Sequence, residues 1–319
     1  MRVLITGVTG FVGRHLAALC RREDAEVVGM GRTPVDAALR EQLVDFVLAD
    51  LDDAVATARV VRTARPDRVF HLAAQASVGA SWKAPGETIA GNIRTSLNLL
   101  EAVRREAPEA RVLVSCSGEQ YGPVPTERLP VVESEPLRPQ NPYAVSKAAV
   151  DVLAGFYADA HGLQIARTRA FNHCGPGQGD IYVVAAFAHQ IAAAEAAGQS
   201  RLNVKTGDLR PRRDFTDVRD IVRAYWLATG PAYPGAYNVC SGRSTPIADI
   251  LAMLGGHSTL EIDRQTDPER FRKHEVMNVR GSHQKLTEAT GWQPEIPLER
   301  TLGDTLDWWR ARVATRTDR

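Results

Sequence analysis

Short apolar runs recur through the first half of the chain. Arg2-Val3-Leu4-Ile5-Thr6, Glu26-Val27-Val28-Gly29-Met30 and Phe46-Val47-Leu48-Ala49 are brief and β-branched enough to read as buried strands. Arg68-Val69-Phe70 and Arg111-Val112-Leu113-Val114-Ser115 repeat the pattern, and Gln164 to Phe171 alternates apolar and polar through its middle. Between them, Arg14 to Arg22 and Thr88 to Glu106 read as helices. Asn141-Pro142 opens another: Asn can cap a helix and Pro suits its first turn. Strand and helix alternating to about residue 170 predict an α/β protein with a doubly wound parallel sheet covered on both faces.

Beyond that point the pattern changes. Asn172 to Gly179 is a breaker-rich loop, followed by an Ala-rich helix; Val183 to Ala197, broken by His189, Gln190 and Glu195, reads as a buried helix face. Arg210 to Arg213 is a basic cluster, Arg219 to Thr229 a helix and Ala236 to Cys240 a strand. Helices near Ile247 to Leu254 and Leu298 to Arg310 bracket a loop-rich middle. The expected division is 1–170 as a dinucleotide-binding Rossmann domain to which 216–240 returns, with 171–215 and 241–319 as a smaller, discontinuous substrate domain.

Composition narrows the class. The 319 residues are 44% hydrophobic and 24% charged, as in an ordered globular protein, and the formal net charge of +1 gives no bulk reason to bind nucleic acid or an anionic membrane. No run approaches the ~18 apolar residues of a membrane span. Cys20, Cys116, Cys174 and Cys240 form no close pair, which suits neither zinc nor a disulfide framework and fits reduced thiols. With a chain that starts directly on an apolar strand pattern, the expectation is a cytoplasmic protein.

The candidate chemistry begins at Gly7-Val8-Thr9-Gly10-Phe11-Val12-Gly13, between a strand and a helix. Gly7 allows the tight turn, Gly10 lets a pyrophosphate approach the backbone, and Gly13 lets the helix lie on the sheet. At the end of the second strand, where an acid would take the ribose hydroxyls of NAD, stands Arg32; a guanidinium suits a 2′-phosphate, so NADP(H) is favoured over NAD(H). Asp50 either hydrogen-bonds the adenine amino group or serves as a turn residue. His71-Leu72-Ala73-Ala74 supplies small residues after a buried strand, against which a cofactor can lie. Tyr143 and Lys147 stand one helical turn apart on one face, and Ser117 should sit past the end of a sheet strand. A phenol titrates near ~10; the Lys147 ammonium and an oxidised nicotinamide are expected to lower it.

With these motifs on the page, the chain resembles the extended short-chain dehydrogenase/reductases over nearly its whole length. Its C-terminal half is most similar to the GDP-mannose branch, and within that branch to GDP-4-keto-6-deoxy-D-mannose reductases. The matching stretches are Asn172-His173-x-Gly175-Pro176-Gly177-Gln178, Arg213 to Asp220, Tyr237 to Gly242, Gly281-Ser282 with Lys285-Leu286, and Thr290-Gly291-Trp292. The resemblance implies a cofactor site of Gly7, Gly10, Phe11, Val12, Gly13, Arg32, Asp50, Leu51, Leu72, Ala73 and Ala74, with Tyr143 and Lys147. It implies a nucleotide-sugar site of Asn172, Val183, Arg213, Arg272 and Glu275. The arginines suit a pyrophosphate and Glu275 can accept from ribose hydroxyls; a solvated salt-bridge cluster is the plainer alternative. The implied activity is reduction of the C4 ketone of GDP-4-keto-6-deoxy-D-mannose to GDP-D-rhamnose, with Ser117, Tyr143 and Lys147 catalytic.

Glu119 leaves a second activity open, since the dehydratases of the same branch use a Glu at this position to remove the sugar C5 proton. Ser117 and Gly118 depart from the dehydratase motif, which has Thr and a hydroxylated residue there. A dehydratase or 4-epimerase is therefore the alternative. A dinucleotide-binding protein without catalysis is the third reading, opposed by the presence of both Tyr143 and Lys147. The resemblance also implies a homodimer that pairs the helices of Tyr143 and Asn92 in a four-helix bundle. The apolar Ala148, Ala149, Val152, Leu153 and Phe156 agree with it.

Overall fold

A computed structural model describes residues 1–230, 234–267, 269, 271 and 276–317. In chain order the strands are β1 (Arg2–Thr6), β2 (Glu26–Gly31), β3 (Asp45–Leu48), β4 (Arg68–His71), β5 (Arg111–Ser117), β6 (Ile165–Ala170), β7 (Asn172–Cys174), β8 (Arg201–Thr206), β9 (Arg212–Arg213), β10 (Phe215–Asp217), β11 (Gly235–Val239), β12 (Thr245–Pro246) and β13 (Glu261–Thr266). The helices are α1 (Phe11–Arg22), α2 (Ala37–Arg40), α3 (Ala54–Ala64), α4 (Val78–Lys83), α5 (Pro85–Glu106), α6 (Pro142–His161), α7 (Val183–Ala196), α8 (Val218–Ala228), α9 (Ile247–Gly256), α10 (Gln284–Thr290) and α11 (Leu298–Thr317).

Seven strands form one parallel sheet in the order β11-β6-β5-β4-β1-β2-β3. Both faces are covered, which is why the strands read as continuous apolar runs: Val3, Leu4 and Ile5 are fully buried. One face packs on α1 and α8 through Leu16, Ile221 and Tyr225, the other on α3, α5 and α6 through Val60, Leu99 and Val150. From β1 the chain runs outward to β2 and β3, then returns to β4 on the other side of β1. The loops leaving β1 and β4 therefore diverge, and such a switch point opens a ligand crevice at the carboxyl ends of the strands.

A third core lies in the C-terminal part, where Ile191 of α7, Leu254 of α9 and Leu306 of α11 pack together. The segment expected to be loop-rich is more ordered than its pattern suggests. It contains β13, paired in parallel with β8 over its full length, and α10. Both strands of this pair are largely exposed on at least one face, so they carry little apolar signal. From the same segment, Leu286 and Trp292 reach back into the core beside α8, where Trp292 Nε1 donates to the Asp220 carbonyl at 3.0 Å.

The four cysteines are buried, unpaired thiols. Among the described residues no helix is long and apolar enough to cross a membrane, and no cluster of His, Cys, Asp and Glu is arranged to hold a metal ion.

Candidate active site

The turn after β1 is built for close approach. Gly7 has φ +71°, and a Cβ there would lie 2.8 Å from the Ala73 amide nitrogen. A Cβ on Gly13 would lie 2.4 Å from the Gly7 carbonyl, so only glycine lets α1 sit this close to the turn. Gly10 is the N-cap of α1 and no side chain caps the helix. The first-turn amides of Phe11, Val12 and Gly13 thus begin a helix with the partial positive charge that suits a pyrophosphate. These features fit a dinucleotide cradle. Phe11 also stacks on His173 (6.2 Å between ring centroids, 9° between planes), and His15 Nε2 donates to the Pro176 carbonyl at 2.7 Å. The breaker-rich loop after β7 is thereby fastened to α1.

The floor of the crevice is fixed by a buried hydrogen-bond chain that the sequence did not announce. Thr6 Oγ1 lies 2.9 Å from His71 Nδ1, and His71 Nε2 lies 2.9 Å from Ser96 Oγ. Ser96 donates its proton to the Asn92 carbonyl at 2.7 Å, so it must accept from His71 Nε2–H, which leaves Nδ1 to accept from Thr6. Burial, with the nearby Lys147 charge, pushes the His71 imidazolium down to about 3, so the ring is neutral at working pH. Thr6 Oγ1 also accepts from the Ala73 amide at 3.4 Å, and Asn92 Nδ2 donates to Ser146 Oγ at 2.9 Å. One chain therefore ties the small residues after β4 to α6.

Arg32 follows β2, is 75% exposed at its side chain, and lies 3.7 Å from Asp50. These two expected cofactor residues thus stand side by side. Leu51, next to Asp50, turns its side chain into the core, while Leu72, Ala73 and Ala74 are half-buried along the exit of β4.

Ser117, Tyr143, Lys147 and Glu119 come together at the end of β5. Asn141 caps α6 through Ala144, which sets Tyr143 in the first turn and Lys147 one turn later. Ser117 lies near enough to the Tyr143 phenol to favour its ionised form. Lys147 is buried, and its Nζ donates to the Ser115 carbonyl at 2.6 Å. Glu119 Oε2 accepts from Asn141 Nδ2 at 3.2 Å. Of the two groups expected to lower the phenol, Lys147 belongs to the chain, and with it in place the protein's own balance runs upward. Burial pushes Tyr143 well above its ordinary value; Ser117 pulls it back in part, and the Glu119 charge adds to the rise. Lys147, drawn onto Ser115, is itself pushed down by burial. A protonated phenol beside a serine hydroxyl is an acid arrangement, ready to give a proton to an oxygen developing negative charge.

Behind this site lies a buried ionic cluster. Asp151 of α6 accepts from Arg169 Nε at 2.7 Å, Arg167 Nη1 at 3.1 Å and Gln120 Nε2 at 2.6 Å. Arg169 Nη1 donates to Tyr121 Oη at 2.9 Å, and Tyr121 donates to Asn238 Oδ1 at 2.7 Å. Gln120 and Tyr121 face inward while Glu119, just before them, reaches Asn141, so the cluster holds the turn carrying Glu119. A signal existed: Asp151 continues the stripe of Tyr143 and Lys147, and Arg167 and Arg169 share one face of a buried strand.

On the substrate side, Asn172 opens β7 and Val183 opens α7, half-buried against the C-terminal core. Arg213 is buried, and its Nη1 donates to the carbonyls of Arg212 (2.9 Å) and Val276 (2.6 Å). Neighbouring Asp214 accepts from the Ser241 amide and hydroxyl and from the amides of Gly242 and Gly281, tying together the segments that carried the C-terminal resemblance. Arg272 and Glu275 lie outside the described residues.

Sheet order, glycine cradle and the Ser117–Tyr143–Lys147 cluster define an extended short-chain dehydrogenase/reductase. Within that class the chain belongs to the GDP-mannose 4,6 dehydratase family, whose model matches residues 4–305. It is 35% identical over 314 residues to the GDP-6-deoxy-D-mannose reductase of Pseudomonas aeruginosa, spanning 98% of each chain. Among solved structures it is similar to RMD from Pseudomonas aeruginosa complexed with NADPH (TM-score 0.85, 34% identity, 98% of this chain and 99% of that one). It is similar also to the Thermus thermophilus UDP-glucose 4-epimerase complexed with NAD (TM-score 0.86, 31% identity, 97% and 99%).

Proposed function

We propose that this chain is a nucleotide-sugar reductase that uses NADPH to convert GDP-4-keto-6-deoxy-D-mannose to GDP-D-rhamnose. The observation that carries the reading is the convergence of Tyr143 and Lys147 of α6 on the end of β5 that bears Ser117, with burial favouring the protonated phenol. Likeness to the Pseudomonas aeruginosa reductase supports the choice of substrate. When bound, NADPH supplies the hydride for the C4 carbonyl carbon. Tyr143 gives its proton to the C4 oxygen, and Ser117 hydrogen-bonds that same oxygen and polarises it. Lys147 holds the nicotinamide ribose beside Tyr143. Gly7, Gly10 and Gly13 admit the pyrophosphate, and Arg32 takes the 2′-phosphate.

The sugar nucleotide is assigned to the unit formed by 171–215 and 241–319. Arg213 and Arg272 serve its diphosphate, Glu275 its ribose, and Asn172 and Val183 line the approach. We also propose a homodimer. An open groove of about 680 Å³ lies over α5 and α6, lined by Ile93, Ala149, Val152 and Phe156, with Val152 and Phe156 mostly exposed. Sedimentation velocity decides this point: a monomer at assay concentration removes the pairing.

Cofactor choice follows from Arg32. Arg32→Ala should weaken NADPH binding about tenfold, the lower end for a charged hydrogen bond because the side chain is exposed, and leave NADH binding unchanged. Titration of protein fluorescence with each cofactor measures both; equal loss for the two would place the 2′-phosphate elsewhere.

Purified protein with the ketosugar should consume NADPH one for one with product. The Glu119 carboxylate, held by Asn141 two residues before Tyr143, is the observation that favours a second reading, a dehydratase with Glu119 as C5 base. Turnover of GDP-mannose with no net consumption of NADPH would select that reading.

A further inference from the structure

A single side chain sets both the proposed acid and the carboxylate next to it. Asn141 Oδ1 accepts from the Ala144 amide at 2.8 Å and so caps α6. Its Nδ2 donates to Glu119 Oε2 at 3.2 Å. The cap needs an oxygen facing the helix, so the amide nitrogen is forced toward the carboxylate; the amide has no freedom to flip. Tyr143 follows Asn141 by two residues, so the cap that orients Glu119 also fixes where the phenol enters the site.

Glu119 is held from its other sides as well. Ser117 Oγ accepts the Glu119 amide at 3.2 Å, and Gln120 and Tyr121 are locked into the buried cluster of Asp151, Arg169 and Asn238. The backbone of the turn is therefore rigid, and the remaining freedom of Glu119 lies in its own side chain. Asn141 removes that freedom. The groups that act on Tyr143 are Ser117 from β5, Glu119 from the turn, Tyr182 from the segment before α7 and Tyr225 from α8; Lys147, one turn on along its own helix, is drawn instead onto the Ser115 carbonyl. Glu119 is the carboxylate of that set.

We infer that Asn141 is a positioning residue: it fixes the Glu119 carboxylate against Tyr143, so that acid and carboxylate work as one unit in the reduction. The role in turnover rests on the reductase reading above; the Asn141–Glu119 contact itself does not. A negative charge held beside the phenol keeps the proton on Tyr143 until the sugar oxygen takes it. Released into solvent, the same carboxylate would be screened and would lose this effect.

Two substitutions separate capping from positioning. Asn141→Ser keeps a good capping oxygen but is too short to reach the carboxylate. Asn141→Asp also keeps a capping oxygen and sets like charges against each other. In crystal structures of either variant α6 should start at the same residue, with the Glu119 carboxylate turned away from Tyr143. In kinetics, Asn141→Ser and Glu119→Gln should each move the alkaline limb of the kcat profile about one pH unit lower, because a phenol without the fixed charge loses its proton more easily. The double variant should show no further shift. Glu119 unmoved in the structures, or shifts that add in the double variant, would overturn the inference. If the wild-type protein does not oxidise NADPH with the ketosugar, the reductase reading falls while the structures still judge Asn141.

Discussion

Tyr143→Phe should lower turnover of the ketosugar by about 10²–10⁴, the range for loss of a general acid. Cofactor affinity and melting temperature should be nearly unchanged. The hydroxyl is the one group removed, and the buried Ser117 beside it is not left stranded, because its oxygen still accepts from the Glu119 amide at 3.2 Å. The ring itself keeps its contacts. Single-turnover mixing of the cofactor-loaded variant with substrate isolates the chemical step; near-wild-type rates would remove Tyr143 from the acid role. The pH dependence has a definite sign. Burial first, and then Glu119, hold the phenol above its ordinary value, so the proton-bearing form persists through neutral pH. The reductive kcat should stay flat there and fall only on the alkaline side, where the phenolate has no proton to give. A loss of activity at acid pH alone would point to a base rather than an acid.

Asp151→Asn should cost about 3–5 kcal/mol of stability, the range for stripping a buried ion of its partner. Asp151 and Arg169 are both nearly inaccessible to solvent, at 1% and 8% of side-chain area, so neither can recruit water when the other is neutralised. The amide would also turn an NH₂ toward one of the three donors that now meet the carboxylate. Because Gln120 binds the same oxygen as Arg169, the damage extends to the turn that carries Glu119. Urea unfolding of the variant beside the wild-type protein measures the loss; a change below about 1 kcal/mol would show that Arg167 and water replace the interaction. The comparison with Tyr143→Phe is informative, since one variant should keep its stability and lose turnover while the other loses stability first.

Much of this was legible in the chain because the fold's periodicities are strong. A parallel sheet covered on both faces makes each strand a continuous apolar run, and the crossover helices must intervene, so β1 through β6 could be placed within a residue or two. The glycine turn was equally readable, because the backbone at Gly7 and Gly13 comes too close to its neighbours for any side chain. Tyr143 and Lys147 followed from helical spacing. What stayed hidden depends on contacts between distant segments. The β8–β13 pair has little apolar contrast, and its register is set by the C-terminal core rather than by local pattern. Asn141 was readable as a cap, but its second bond needs the turn after β5 to arrive beside it. Helical spacing brings Lys147 near Tyr143, but burial and the Ser115 carbonyl, which only packing supplies, decide what that ammonium does. His71, Thr6, Ser96 and Asn92 come from three separate elements, and their chain exists only once β1, β4 and α5 are packed.

The central claim is that this site reduces a keto-sugar carbon instead of cycling a hydride within one sugar. NADPH deuterated at the transferred position, incubated with GDP-4-keto-6-deoxy-D-mannose, tests it most directly through NMR of the purified product. The account predicts one deuterium at C4 of GDP-D-rhamnose for each cofactor oxidised, and none at C5 or C6. An unlabelled product, or label at any other carbon, would contradict it.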